Sequence, residues 1–233
     1  MRINKFISET GYCSRREADK LVESGRVTIN GETAVLGSQA EAGDEVRIDG
    51  KPLLSTAKTV YIALNKPVGI TSTTEEHVKG NIVDFVGHTE RIFPIGRLDK
   101  DSEGLILLTN DGDVVNKILR AEGRHEKEYI VTVDRPVTPS FLTGMASGVK
   151  ILGSKTLPCD VTRVSDRVFR IILTEGKNRQ IRRMCSAFGY EVRRLQRIRI
   201  MNIRLGTLPV GKWRDLTDSE KEELGRLLQY RLL

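Results

Sequence analysis

The order of its short apolar runs is what most constrains the fold of this chain. From Val60 onward, strand-like segments stand at 60–64, 105–108, 128–133, 159–164, 168–174 and within 191–205, and helix-like ones at 113–120, 139–147, 179–188 and 218–228. The first group alternates apolar and polar residues or runs apolar without a break, while the second repeats apolar residues every three or four positions. Strands in succession with helices scattered among them do not make the regular strand-helix alternation of a doubly wound sheet. The pattern predicts an α+β fold whose mixed, mainly antiparallel sheet is flanked by helices.

The segment before Val60 is built on a smaller scale. Ile3, Phe6 and Ile7 recur at helical spacing up to Gly11, Ser14 is placed to cap a second helix over 15–23, and Gly25 ends it. Two short strands follow within 27–31 and 43–50, and residues 52–58, which have no period, read as a linker. The expected division is a small domain over 1–51, the linker over 52–58 and a larger domain over 59–233.

A chain of 233 residues, 39% hydrophobic and 30% charged, buries a real core, so disorder is excluded. Cys13, Cys159 and Cys185 are an odd number at wide spacings, which suits neither a disulfide framework nor a zinc site. Arg2, Asn4, Lys5 and Glu9 interrupt any signal-peptide core, and no apolar run approaches the roughly 18 residues of a membrane span. A cytoplasmic, soluble monomer with no membrane partner is expected.

Charge is unevenly placed. Residues 176–204 hold nine cations, eight of them Arg, against the single acid Glu191, a net of +8 where the whole chain is +7. The planar fork of Arg suits phosphate and base edges, and a single-sign stripe is the footprint expected for nucleic acid. Residues 1–58 balance to zero, yet Arg2, Lys5, Arg15 and Arg16 give that segment one basic edge.

Several chemistries lack their motifs. There is no phosphate-cradling glycine loop ending in Gly-Lys-Ser/Thr, no Gly-x-Gly-x-x-Gly turn after a strand and no Gly-x-Ser-x-Gly elbow, and His77, His88 and His125 do not pair with Cys or carboxylates at metal-ligand spacing. No nucleotide cofactor and no histidine-bound metal are expected. What remains is the stretch 96–105, which sets Asp99 between Arg97 and Lys100 and runs directly into the apolar segment at Leu105. That pattern points to a reactive carboxylate on a loop beside a buried strand, with Asp101, two residues on, as its rival.

Lys5-Phe6, Gly11, Ser14-Arg15-Arg16-Glu17-Ala18, Gly25, Val27, Asn30-Gly31 and Gly43-Asp44 together resemble the small RNA-binding module named after ribosomal protein S-four, the alpha-L motif. The resemblance implies that Arg15 and Arg16 face structured RNA, where phosphate contacts position without reading sequence. Leu64-Asn65-Lys66-Pro67-Val68-Gly69, Gly96-Arg97-Leu98-Asp99, Glu128-Tyr129 and Gly176-Lys177-Asn178-Arg179-Gln180-Ile181-Arg182-Arg183-Met184 resemble the signature set of ribosomal RNA pseudouridine synthases, in the branch that carries an S-four-like module in front. Arg194-Leu195, Arg197, Arg199-Ile200-Met201-Asn202 and Trp213-Arg214-Asp215-Leu216-Thr217 are most similar to the type F group, which acts on large-subunit rRNA.

That resemblance implies a cofactor-free isomerisation of uridine to its C-glycoside, with no metal. Asp99 would be the reacting carboxylate, as nucleophile or as base. Arg182, chosen over Arg179, would be the ion-pair partner that keeps Asp99 charged beneath a stacked base. Tyr129 would stack on that base with its hydroxyl near the proton lost from C5. Arg97 would fill the space left by the flipped nucleotide. Lys66, Lys177, Arg179, Arg183, Arg197 and Arg199 would join Arg15 and Arg16 in holding RNA. The alternatives are the same chemistry on small-subunit rRNA or tRNA, and a non-catalytic RNA-binding factor in ribosome assembly.

Overall fold

A computed structural model describes residues 1–54, 58–120 and 123–232. They form two compact units, one of Met1–Val60 with the short pieces Thr89–Arg91 and Asn110–Gly112, the other of the remainder. Residues 55–57, the middle of the expected linker, lie outside the described residues.

In the first unit, helices α1 (Ile3–Glu9) and α2 (Arg15–Glu23) precede the strands β1 (Val27–Ile29), β2 (Glu32–Thr33), β3 (Val46–Ile48) and β4 (Lys51–Pro52), whose sheet runs β2-β1-β3-β4. Ser14 caps α2 as its position predicts: its hydroxyl accepts from Glu17 N at 3.2 Å, and the Glu17 carboxylate accepts from Ser14 N at 2.7 Å. Ile3 and Ile7 of α1 and Ala18 and Val22 of α2 bury against Val27, Val46 and Ile48. Arg15 and Arg16 open α2 with exposed side chains. Strand β4 extends regular pairing into Pro52, the first residue of the expected linker.

The second unit begins with β5 (Tyr61–Lys66), α3 (Ile82–Val86), β6 (Phe93–Pro94), β7 (Glu103–Thr109), α4 (Gly112–Leu119) and β8 (Lys127–Val133). It continues with α5 (Pro139–Ala146), the hairpin β9 (Lys150–Ile151) and β10 (Ser154–Lys155), then β11 (Asp160–Ser165), β12 (Val168–Leu173) and α6 (Gln180–Ala187). Strands β13 (Val192–Ile200), β14 (Ile203–Arg204) and β15 (Trp213–Asp215) and helix α7 (Asp218–Leu228) complete it. The main sheet runs β11-β12-β8-β13-β7-β5-β15, with β6 added beside β7 and β14 beside β13. Strand β13 pairs parallel with β7, while the other pairings in this sheet are antiparallel, which makes it mixed and mainly antiparallel.

Continuous apolar runs become the central strands. Every residue of β5 and all but the first of β7 are buried, as expected of strands covered on both faces. Tyr61, Ala63, Leu105 and Leu107 pack with Val114 and Ile118 of α4 and Leu224 and Leu228 of α7. The segment 191–205 is one long strand, a tight turn at Met201 with φ 52°, and a short return strand. Helix α3 has no counterpart in the periodic pattern, because five residues are too few to display a period. Its ends are local, with Asn81 accepting from Asp84 N at 2.8 Å and the left-handed Gly87 closing it. No helix among the described residues is long and apolar enough to cross a membrane.

Candidate active site

Asp99 lies on the loop between β6 and β7, and neighbouring groups hold that loop closely. Leu98 is buried, and Ser72 grips it from both sides: its hydroxyl donates to Leu98 O at 2.8 Å and accepts from Leu98 N at 3.2 Å. Lys100 O accepts from Gly69 N at 2.7 Å, and Asp99 O accepts from Ser102 N at 3.0 Å. The Asp99 carboxylate is one-third exposed and lines a cleft of about 570 Å³, whereas Asp101 does not line it.

The cations around this loop come from the start of α6. Arg179, at the N-cap, adopts a left-handed backbone (φ 49°, ψ 38°), which is uncommon for a residue with a Cβ. Gln180 stabilises that turn, since its side chain accepts from Lys177 N at 2.9 Å and donates to Glu175 at 2.8 Å. Arg179 grips Asp101 with two bonds, of 2.8 and 3.0 Å, and reaches Asp99 at 3.7 Å. Arg182 points elsewhere. Its Nη2 donates to Asp101 O at 2.8 Å and to Ser102 Oγ at 3.3 Å, its Nη1 to Val192 O at 3.3 Å, and its Nε stands 3.4 Å from the Asp101 carboxylate. The expected pairing of Arg182 with Asp99 is therefore corrected: Arg179 is the ion-pair partner and Arg182 braces the loop behind it. The physical reason is the left-handed turn, which directs the first Arg of the run toward the carboxylates.

The hydrogen bonds from Arg179, then the charge of Arg182, hold the Asp101 carboxyl below the usual carboxylate range. With both of its oxygens engaged, Asp101 acts as a clamp, and Asp99 is the carboxylate that faces the cleft.

Tyr129 on β8 lines the same cleft and is 8% exposed. Lys127, two residues earlier and on the same face of the strand, lines it too, although no motif or spacing singled it out. Its Nζ donates to His125 O at 3.2 Å, and burial followed by the charge of Arg197 pushes its pKa down. Arg97 lies on the cleft with an exposed side chain and no ion pair among the described residues. Its nearby acids are taken: Asp101 by Arg179 and Arg182, Glu103 by Arg194 at 2.5 Å.

Of the remaining basic candidates, two stay at the surface or rim. Lys177 lines the cleft while donating to Ser154 Oγ at 2.8 Å, and exposed Arg183 donates to Asn178 O and Oδ1. Three others are withdrawn from the RNA backbone by burial or by internal acids, and the expectation that they hold RNA at its surface is corrected. Lys66 is fully buried, with Nζ donating to Pro67 O and Ile70 O at 2.9 Å each. Arg197 is 4% exposed, and its Nε donates to Leu105 O at 2.7 Å. Arg199 joins Glu128 at 2.6 Å and Glu126 at 2.9 Å. A bulge explains the last case. The pairing of β13 with β8 shifts between Arg197 and Arg199, so Arg197 stands opposite Tyr129 but Arg199 opposite Glu128. Two residues that strict alternation would put on one face are thereby sent to opposite faces.

Buried Lys66 carries a pH prediction. Burial, with the charge of Arg197 second, lowers its pKa from 10.5 to about 8. Between those values the unfolded chain keeps a proton that the folded chain has released, so stability rises with pH across that window, and below it Lys66 adds no pH dependence. Urea denaturation of the wild type and Lys66→Met from pH 7 to 10 should show the wild type gaining on the variant above pH 8, by up to about 3 kcal/mol. Parallel curves would show that Lys66 does not titrate there.

Residues 60–187 match the model of a family described as RNA pseudouridylate synthase, and residues 1–46 match that of the S4 domain. The chain is 59% identical to the dual-specificity RNA pseudouridine synthase RluF of Salmonella typhi, over 98% of its own length and 80% of that protein. It is 32% identical to the ribosomal large subunit pseudouridine synthase B of Bacillus subtilis, over 98% of its length and 97% of that protein. Among solved structures it is similar to one described as the crystal structure of pseudouridylate synthase, with a TM-score of 0.71 and 32% identity, covering 96% of this chain and 99% of that one.

Proposed function

The chain belongs to the RNA pseudouridylate synthase family, and from that premise we propose that it isomerises a specific uridine of large-subunit ribosomal RNA to pseudouridine, without a cofactor, at the cleft lined by Asp99. One observation carries the assignment of the site: Arg179 clamps Asp101 with two bonds, so Asp99 is left facing the cleft with a guanidinium at 3.7 Å. An Asp desolvated beneath a stacked base tends to take up a proton, and a fixed cation opposes this.

In the reaction the N1–C1′ bond breaks, the uracil turns, C5 bonds to C1′, the C5 proton leaves and N1 takes up a proton, so no atom is gained or lost. Asp99 serves the sugar or the pyrimidine as nucleophile, or the sugar as base. Tyr129 supplies a ring for the base and a hydroxyl for the C5 proton. Arg97, exposed and unpaired among the described residues, occupies the gap left in the RNA when the nucleotide is extruded. Arg15, Arg16, Lys177 and Arg183 hold backbone phosphate. The large-subunit target is supported by the name of the Bacillus subtilis relative, and the dual-specificity description of the Salmonella typhi relative favours a second RNA, small-subunit rRNA or tRNA, beside it.

Pseudouridine mapping by carbodiimide primer extension in cells lacking this gene tests the proposal. One large-subunit position should lose its signal and regain it with the wild-type gene, and an unchanged map would reject the function. A loss confined to tRNA or small-subunit rRNA would move the substrate and keep the chemistry. Binding to an RNA fragment around that position should weaken on the order of 10²-fold between 50 and 200 mM salt, because four to five phosphate contacts release counterions. Affinity that ignores salt would count against the four cations named above.

A further inference from the structure

Arg197 is too buried to meet an RNA backbone, yet it is a cleft-lining residue. Two of its groups are engaged, Nε with Leu105 O at 2.7 Å and Nη1 with Arg97 O at 3.5 Å. Those carbonyls flank Asp99 in the chain, one two residues before it and the other in the strand that follows. The third group, Nη2, is buried with no partner among the described residues, a condition that native structures seldom leave unexplained. Across the β13–β8 pair Arg197 stands opposite Tyr129, so the two side chains share one face of the sheet.

The close approach that makes this possible depends on Gly104, the partner of Arg197 in the parallel β13–β7 pair. A Cβ at Gly104 would lie 2.3 Å from Arg197 O and 2.8 Å from Arg197 N, and the φ of +104° also favours glycine.

We propose that Arg197 is a positioning residue for the isomerisation: its guanidinium fixes the Asp99 loop through the carbonyls of Arg97 and Leu105 and keeps Nη2 for a carbonyl oxygen of the target pyrimidine. This rests on the function proposed above. When the N1–C1′ bond breaks, its electron pair leaves with the ring and charge spreads onto O2 and O4. Asp99 compensates C1′ by bonding to it or by taking the C2′ proton. The pair returns to the sugar when C5 bonds to C1′, which displaces Asp99 from C1′ or draws the C2′ proton back from its carboxyl; the C5 proton then departs and N1 takes up a proton. A donor already aimed at O2 or O4 binds the departing ring more strongly than the resting base, which is what lowers a barrier.

The test is single-turnover isomerisation of an RNA fragment carrying uridine, 2-thiouridine or 4-thiouridine at the target, by the wild type, Arg197→Lys and Arg197→Met. Arg197→Met should slow the saturated rate about a hundredfold while the RNA Kd stays within about threefold, and Arg197→Lys should recover only part of the loss. One thio substitution should slow the wild type and leave Arg197→Met unaffected. A raised Kd with an unchanged saturated rate would make Arg197 a phosphate contact and overturn the proposal. Thio effects equal in wild type and variant would overturn the pyrimidine contact. If Arg197→Met does not fold, Arg197→Lys decides, and a wild-type rate in it overturns the proposal. If the wild type isomerises nothing, the functional reading fails on its own. Arg197 is then judged by hydrogen exchange at the Leu98 and Ser102 amides, where protection unchanged in Arg197→Lys overturns the bracing.

Discussion

Asp99→Asn is expected to abolish pseudouridine formation while leaving the protein folded and bound to its RNA. The substitution keeps shape and removes charge, so it deletes both the nucleophile and the base at the sugar, and a loss on the order of 10⁴-fold or more is expected of a group that performs the bond chemistry. Stability should change by less than about 1 kcal/mol, because the carboxylate is one-third exposed and sits 3.7 Å from Arg179 without a close hydrogen bond to it. RNA affinity should not fall, since no cation is lost. Single-turnover tritium release from RNA labelled at C5 of uridine measures the activity, filter binding to the same RNA the affinity, and urea denaturation followed by circular dichroism the stability. Activity within tenfold of wild type would transfer the chemistry to Asp101, and Asp101→Asn would then have to be inactive.

Arg179→Met is expected to cost more activity than Arg182→Met, and Arg182→Met more stability than Arg179→Met. Removing Arg179 frees Asp101 from its two hydrogen bonds and strips Asp99 of its nearest cation, so the saturated rate should fall about 10²- to 10³-fold, the range for losing one preorganised charge at a reacting centre. Arg182 instead ties Asp101 O, Ser102 Oγ and Val192 O together from a mostly buried position, so its loss should cost about 1–3 kcal/mol of folding free energy. The acid limb of stability offers a second measure. Asp101 has its carboxyl depressed chiefly by Arg179, so the stabilisation it gives is present above its unfolded value near ~3.9 and is lost as pH falls through the folded value. In Arg179→Met that loss should largely vanish, flattening urea midpoints below about pH 4. Should a folded Arg182→Met prove the slower enzyme at saturating RNA, Arg182 would be the partner of Asp99 after all.

Much of the fold is written in local patterns. The Ser14 cap, the bounds of α2 and α7 and the apolar strands β5 and β7 follow from residues that decide structure within a few positions of themselves. The family motifs likewise converge: Arg97, Asp99, Tyr129, Lys177 and Arg179 all line one cleft. What escaped detection depends on tertiary placement. Arg179 and Arg182 are three positions apart at the start of one helix, and only the left-handed backbone of Arg179 decides which reaches Asp99. Arg199 was separable from Arg197 only through a bulge, which leaves no periodic trace when it falls within a run of alternating Arg. The +8 segment overstated the free positive surface, because Glu103, Glu126, Glu128 and Asp101, all from outside it, neutralise much of it. Lys66 and Lys127 lie within short apolar strands, and charge counts are blind to burial.

The parallel pairing of β13 with β7 also sets an order of events in time. Arg197 and the carbonyl it holds on Leu105 stand 92 positions apart, so the contact closes a long loop and carries the entropic penalty of one. Contacts of that span slow folding. A nascent chain displays Asp99 long before it owns the strand that braces it. The cleft is therefore complete only after β13 has been made and has paired with β7.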